Sequence, residues 1–191
     1  MCGRFYIDPE MYDEVQQVIK DLSKRYKEEK EASKKKDIYP TNTSLILYNK
    51  DGKLSDDFVK WGFPKFNHKG IFINARSETV TEKRTFRDSI LKRRCVIPAR
   101  GFYEWDSDKN KESFFKENKK VIYMAGFFKR FEDETRFMIL TTAPNESVAS
   151  IHDRMPLILE EREIENWVFD DNMIEFLLEK EPLPLAHQRE S

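Results

Sequence analysis

The chain has 191 residues, of which 36% are charged, yet its formal net charge is only −1. This length fits a single domain spanning 1–191, able to hide roughly 70% of its extended surface. The near-neutral balance excludes bulk attraction to nucleic acid, so any anion site must be local, and no apolar run approaches the ~18 residues of a membrane span.

The two cysteines, Cys2 and Cys95, are far apart in sequence and make no disulfide framework, which suits a reducing compartment. The chain reaches Arg4 and Asp8 without an apolar core segment, so no signal peptide is expected and the expected location is cytoplasmic. No Cys/His spacing makes a zinc site, and no cofactor is expected.

In chain order, Asp8-Pro9 opens a helix, with Tyr12, Val15, Ile19, Leu22 and Tyr26 at helical spacing to about Lys30. Glu28–Lys36 reads as a charged connector, and Ile38-Tyr39-Pro40 as extended, because a residue before proline avoids the α region. Leu45–Tyr48 and Val59–Trp61 flank a hairpin turn at Asp51-Gly52. Gly70–Asn74 is a short strand, and Ser77 to about Leu91 a helix with Phe86 and Ile90 on one face. Arg94–Ile97 is a strand interrupted at Pro98, and Gly101–Trp105 a strand paired with Ser113–Lys116. Val121–Phe128 and Arg136–Thr142 form a hairpin. A short helix at Asn145–Ser150, a strand at Leu157–Leu159 and helices at Glu161–Phe169 and Met173–Glu179 complete the chain. The pattern is α+β, a single domain with a curled or barrel-like mixed sheet flanked by helices. Basic residues cluster between Lys83 and Arg94, and the run Lys92–Arg94 is expected to lie on a solvated helix face.

Cys2 has a distinct chemistry if Met1 is trimmed. The mature chain then begins with an α-amine and a thiol on adjacent carbons. An aldehyde gives a Schiff base with the amine, and the thiol closes a five-membered thiazolidine. An α-amine titrates near ~7.7–8.0, so far more of it is free base at neutral pH than of a lysine. Three further polar positions stand among apolar neighbours: Asn74 after Ile71-Phe72-Ile73, Glu104 between Tyr103 and Trp105, and His152 after Ile151. Thr141-Thr142 ends a strand before Ala143-Pro144. Taken alone, Glu104 could face solvent, His152 could be a core histidine, and Trp61, Trp105 and Trp167 could be core. Cys95 reads as a buried small residue, and His68 and His187 as inert.

The blocks Met1-Cys2-Gly3-Arg4-Phe5, Asn74-Ala75-Arg76-Ser77-Glu78-Thr79, Pro98-Ala99-Arg100-Gly101-Phe102-Tyr103-Glu104-Trp105 and His152-Asp153-Arg154-Met155-Pro156 together resemble the SOS-response-associated peptidase (SRAP) family. The resemblance covers nearly the whole chain. It implies a sensor of abasic sites in single-stranded DNA that forms a covalent thiazolidine cross-link through the mature Cys2 and shields the lesion. It further implies that Asn74 orients the N-terminal residue, that Glu104 exchanges protons with the α-amine, and that His152 donates a proton as the sugar ring opens. Arg4 and Arg76 match phosphate-gripping arginines. Pro40 and Trp61 fall where the family places apolar wedges, and Thr142 joins the DNA-binding set. The expected partner is abasic single-stranded DNA, bound by a monomer. Two alternatives stay open: a thiol peptidase, whose self-processing would remove Met1, and a non-covalent single-strand binding module.

Overall fold

The computed structural model describes residues 2–66, 69–132 and 134–190. The expected loss of Met1 and the assignment of His68 lie outside them. The fold is mixed α and β, with two main sheets.

The smaller sheet is antiparallel. It is ordered β15 (Ala186–Arg189), β10 (Lys111–Phe115), β9 (Gly101–Trp105), β1 (Phe5–Ile7), β2 (Lys36–Ile38). The larger sheet contains β3 (Thr43–Lys50), β4 (Lys53–Trp61), β8 (Arg94–Ala99), β11 (Ile122–Arg130) and β12 (Thr135–Thr142). Its pairings run β12–β4–β3–β8–β11 and return to β12, closing a ring. This is the curled mixed sheet expected from the pattern of short strands.

β12 positions much of the site. Its first residues take β4 in parallel, with Phe137 opposite Trp61. Further along, the same strand takes β7 (Asn74–Arg76) in parallel, with Ile139 opposite Asn74. Its last residues, Thr141 and Thr142, pair with β13 (Met155–Pro156), just beyond His152. β14 (Ile158–Leu159) pairs with β11, and β5 (Phe63–Pro64) with β6 (Ile71–Phe72) in a small hairpin.

The turn between β3 and β4 is as expected: Asp51 and Gly52 have φ of 53° and 83°, the left-handed pair a two-residue hairpin requires. Gly62, with φ 105°, swings the chain from β4 into the β5–β6 hairpin. A side chain there would be strained, and its Cβ would come within 2.9 Å of Ile71 Cδ1.

Several boundaries differ from the sequence expectation. The first helix is two: α1 (Pro9–Val18) and α2 (Lys24–Glu31). Asp8 caps α1 as expected, accepting from the Met11 amide at 2.8 Å. Ile19 is extended, and Ser23, held by Asp56 through its amide at 2.9 Å, caps α2. The break folds Tyr26 onto Tyr12, whose carbonyl accepts the Tyr26 hydroxyl at 2.6 Å. The helix expected from Ser77 is a 3-10 turn, Ser77–Thr79, followed separately by α3 (Arg84–Lys92), which buries Phe86 and Ile90. β8 runs through Pro98, since its neighbours Ile97 and Ala99 keep the ladder to Met124 and Ile122. Arg94 is not on a solvated face. It is buried, bonding the carbonyls of Ile90, Leu91 and Trp167 and the Asp171 carboxylate. The C-terminal helices α4 (Glu146–Ala149), α5 (Ile164–Phe169) and α6 (Ile174–Leu178) fall where periodicity places them. No helix among the described residues is long and apolar enough to cross a membrane.

Candidate active site

The site lies at the seam between the two sheets. β1 leads Cys2 to it and β9 carries Glu104. The two strands are neighbours, with Phe5 opposite Phe102 and the Tyr103 amide on the Arg4 carbonyl at 2.9 Å. Asn74 arrives from the ring, on β7. Its Nδ2 donates to the Cys2 carbonyl at 2.8 Å, and its Oδ1 is buried without a hydrogen-bond partner. His152 follows α4, and its Nε2 lies 3.5 Å from Glu104 Oε2. The structure thus gathers Cys2, Asn74, Glu104 and His152, which the sequence separates by up to 150 positions.

Burial sets their protonation. Cys2 is fully buried. Desolvation pushes its thiol well above the ordinary range, and the nearby Glu104 charge adds to that. Glu104 is not a solvent-facing residue of an alternating strand, being only 2% exposed. Burial raises its carboxyl to about 7 against the opposing pull of the chain's terminal ammonium. His152 moves the other way: burial lowers it below its ordinary value, and the terminal ammonium adds to this. At neutral pH the site therefore holds a neutral thiol, a half-titrated carboxyl and a neutral imidazole, a set able to give and take protons without large cost.

The residues expected to bind DNA fall out differently. Arg76 ends β7 exposed, and its guanidinium forms no hydrogen bond or ion pair among the described residues. Arg4 is held by Asp37, from Nε at 2.8 Å and also from Nη2, and lies over the rings of Tyr39 and Tyr103 at 4.7 and 5.2 Å. Pro40 sits half-buried in a turn tied to Trp61 by Thr41 N–H to Trp61 C=O and Trp61 N–H to Asn42 C=O, each at 2.9 Å.

Trp61 is not the exposed wedge expected. It is fully buried, its ring packed at 5.2 Å on Phe5 and 6.2 Å on Phe137. No face remains for a base. Its indole N–H donates to the Ile73 carbonyl at 2.9 Å, so it braces the residue beside Asn74. Thr142 is likewise buried against β13, with little surface for a strand of DNA. Exposed aromatics near these segments include Tyr39, 44% exposed, Phe66, 85% exposed at the β5–β6 turn, and Phe72 in the same hairpin. Sequence reasoning passed over them, along with Asp37, Glu78 and Arg154. Tyr39 and Phe66 had a signal in their polar, turn-rich surroundings. Asp37 had none, since an acid in a charged connector looks solvated.

Among the described residues, no group of three or more His, Cys, Asp or Glu side chains could hold a metal ion. Cys95 is buried as expected.

Fold and cluster together define a small mixed α/β protein organised around its own N-terminal segment. The chain belongs to the SOS response associated peptidase (SRAP) family, whose sequence pattern matches residues 1–183. It is 30% identical over 188 residues to the abasic site processing protein YoqW of Bacillus subtilis, covering 90% of this chain and 82% of that one. It is 30% identical over 176 residues to the abasic site processing protein YedK of Escherichia coli, covering 88% and 79%. A crystal structure of a Bacteroides thetaiotaomicron protein has the same fold, with a TM-score of 0.84 at 21% identity over 98% of this chain and 91% of that one.

Proposed function

We propose that this protein captures abasic sites in single-stranded DNA as a covalent adduct of Cys2. The observation that carries the reading is Cys2 itself: buried, held by Asn74 through its carbonyl, and close to a carboxyl that titrates near neutrality. Relatives named as abasic site processing proteins support the choice of substrate.

The chemistry begins once Met1 has been hydrolysed from Cys2. The α-amine of Cys2 attacks the C1′ aldehyde of the ring-opened sugar. Glu104 takes the two protons of the amine in turn and delivers them to the aldehyde oxygen, first giving the carbinolamine and then water and the imine. The thiol then adds its sulfur to the imine carbon and its proton passes to the nitrogen. One C–N and one C–S bond form and one water is lost. His152 takes the proton of a protonated Glu104 on Nε2 and, as imidazolium, gives it to the ring oxygen as the sugar opens, while the C1′ hydroxyl proton passes to the Glu104 carboxylate. Arg76 pairs with a flanking phosphate, and Arg4 does so on release from Asp37. Pro40, Tyr39 and Phe66 offer apolar and aromatic surface to neighbouring bases, where stacking contributes about 1–3 kcal/mol per base without reading sequence. All these groups come from one chain, so a monomer suffices.

The state of the thiol argues against a thiol peptidase. Such enzymes need a thiolate, which lowered pKa values provide, whereas burial drives Cys2 the other way.

The test is an intact-mass spectrum before and after mixing with an oligonucleotide carrying one abasic site. A starting mass without Met1, then a denaturation-resistant gain of one oligonucleotide minus water, is expected. Cys2→Ala should lose the stable adduct. A chain lacking Met1 that gives no adduct, or an undiminished adduct with Cys2→Ala, overturns the mechanism.

A further inference from the structure

Arg154 is fastened at both its ends. Its guanidinium grips both oxygens of Glu78, Nη1 to Oε1 at 2.6 Å and Nη2 to Oε2 at 2.8 Å, and Nη2 also reaches the Thr141 carbonyl at 2.7 Å. That bond holds the Glu78 carboxyl below its ordinary value. Arg154's main chain meets His152. Its N–H donates to His152 Nδ1 at 3.0 Å, and its carbonyl lies 3.1 Å from the same nitrogen.

One ring nitrogen therefore sits between a donor and an acceptor of a single residue. A neutral imidazole with its proton on Nε2 accepts from the Arg154 N–H. A neutral imidazole with its proton on Nδ1 donates instead to the Arg154 carbonyl, and its bare Nε2 can take the proton of a protonated Glu104, giving an imidazolium that keeps the same Nδ1 bond and a Glu104 carboxylate. Each form is served with the ring in place and Nε2 facing Glu104. The bond made by one ring nitrogen decides what the other can do.

We propose that Glu78 and Arg154 are positioning residues whose ion pair holds the Arg154 main chain as a two-way cradle for His152, so that Nε2 exchanges protons with Glu104 without the ring turning. The cradle is a matter of geometry. Its use in capture rests on the function proposed above. The groups facing His152 are Glu104 from β9, Asp153 with Oδ1 3.2 Å from Nδ1, Arg154, and the charge of the chain terminus. Glu78 acts from the 3-10 turn that follows β7, only through Arg154. The pair thus links the segment bearing Asn74 to the one bearing His152.

The experiment uses protein labelled with nitrogen-15 histidine. The chain has three histidines, and the His152 signals are those lost in His152→Ala. In the wild type, His152 should titrate below the ordinary value of about 6.5. In Glu78→Ala the ring should gain solvent, its midpoint should rise toward that value, and both nitrogens should move toward tautomer-averaged shifts. The first-order rate of adduct formation at saturating abasic oligonucleotide should fall about 10- to 100-fold, the scale of a displaced reacting group, with its acid limb displaced in the same direction. Glu78→Gln, which keeps the shape and one accepting oxygen, should recover most of both. A His152 midpoint unchanged in Glu78→Ala overturns the cradle, whatever happens with DNA. A moved midpoint with an unchanged rate overturns its use in capture. If His152 responds while the wild type forms no adduct, the cradle stands and the function proposed above falls. Should Glu78→Ala fail to fold, the same outcomes are read from Arg154→Met, which removes the ion pair while keeping the Arg154 main chain and a side chain of similar length.

Discussion

Asn74 Nδ2 and the Cys2 carbonyl oxygen are 2.8 Å apart although 72 positions separate the residues. This bond joins the ring to the smaller sheet at the point where chemistry is proposed to start. Asn74 Oδ1, buried and without a hydrogen-bond partner, is left over from the same amide. Asn74→Ala should cost about 1 kcal/mol of stability but slow adduct formation by about 10- to 100-fold. Time courses on denaturing gels, beside urea unfolding, measure the two. An Asn74→Ala protein that forms the adduct at the wild-type rate would remove Asn74 from the mechanism.

Glu104 links function to pH. The folded protein keeps its carboxyl protonated to about 7, whereas the unfolded chain releases the proton near 4.5. Between those values the folded state binds more protons, so stability falls as pH rises through that window, by ~3 kcal/mol at most. The contribution is complete below about pH 4.5 and gone above about 7. Glu104→Gln should flatten this slope, be more stable than the wild type at alkaline pH, and capture the lesion poorly. Urea midpoints across the window decide it. A variant with the wild-type slope would show that Glu104 ionises normally.

Trp61 and Tyr39 should separate packing from binding. Trp61→Ala removes a fully buried ring and its bond to Ile73, and should cost about 3–5 kcal/mol. Tyr39→Ala leaves the core intact and should change stability by about 1 kcal/mol or less, the scale of its contact with Arg4. It should weaken binding to intact single strands about 5- to 100-fold, with the salt dependence unchanged because no charge is lost. Fluorescence anisotropy over a salt series is the measurement, and undiminished affinity in Tyr39→Ala would exclude its ring from the interface.

Arg100 is a stability residue inside a block that carries the family resemblance. It bonds Asp8 from Nε at 2.8 Å and from Nη2 at 3.0 Å, and Glu14 from Nη1 at 2.8 Å. Arg100→Ala would remove the cation from two partly buried carboxylates, at the cap and middle of α1, and leave each with only a backbone amide, at a cost of about 3 kcal/mol. Thermal unfolding tests this, and a Tm unchanged from the wild type would mean the network contributes nothing.

What was legible in the sequence follows from the reach of each interaction. The Asp51-Gly52 hairpin, the Asp8 cap and the face of α3 are set by neighbours a few residues apart, and each is where local chemistry puts it. β1 and β15, of three and four residues, carry no periodicity and exist because β9 and β10 offer edges. The break after α1 depends on Asp56, more than thirty positions away. Asn74, Glu104 and His152 stood out as polar side chains in apolar company and Cys2 by its place behind Met1, but their roles were readable only through the family resemblance; the structure brings the four together. Trp61 misled because its position in the sequence looks like a binding segment, while its environment is decided by Phe5 and Phe137 from other strands.

The seam has a consequence for how reactivity arises in time. Cys2 and Glu104 travel with one sheet, Asn74 with the other, and Phe5 against Trp61 is part of what closes them together. Either sheet formed alone holds half of the chemistry. An incompletely folded chain would carry the same cysteine with no carboxyl tuned beside it and no amide on its carbonyl. Docking of the sheets would then restrict as well as tune the reaction: an open chain offers its aminothiol to any aldehyde, whereas the finished fold buries Cys2 and leaves free sugars little access to it.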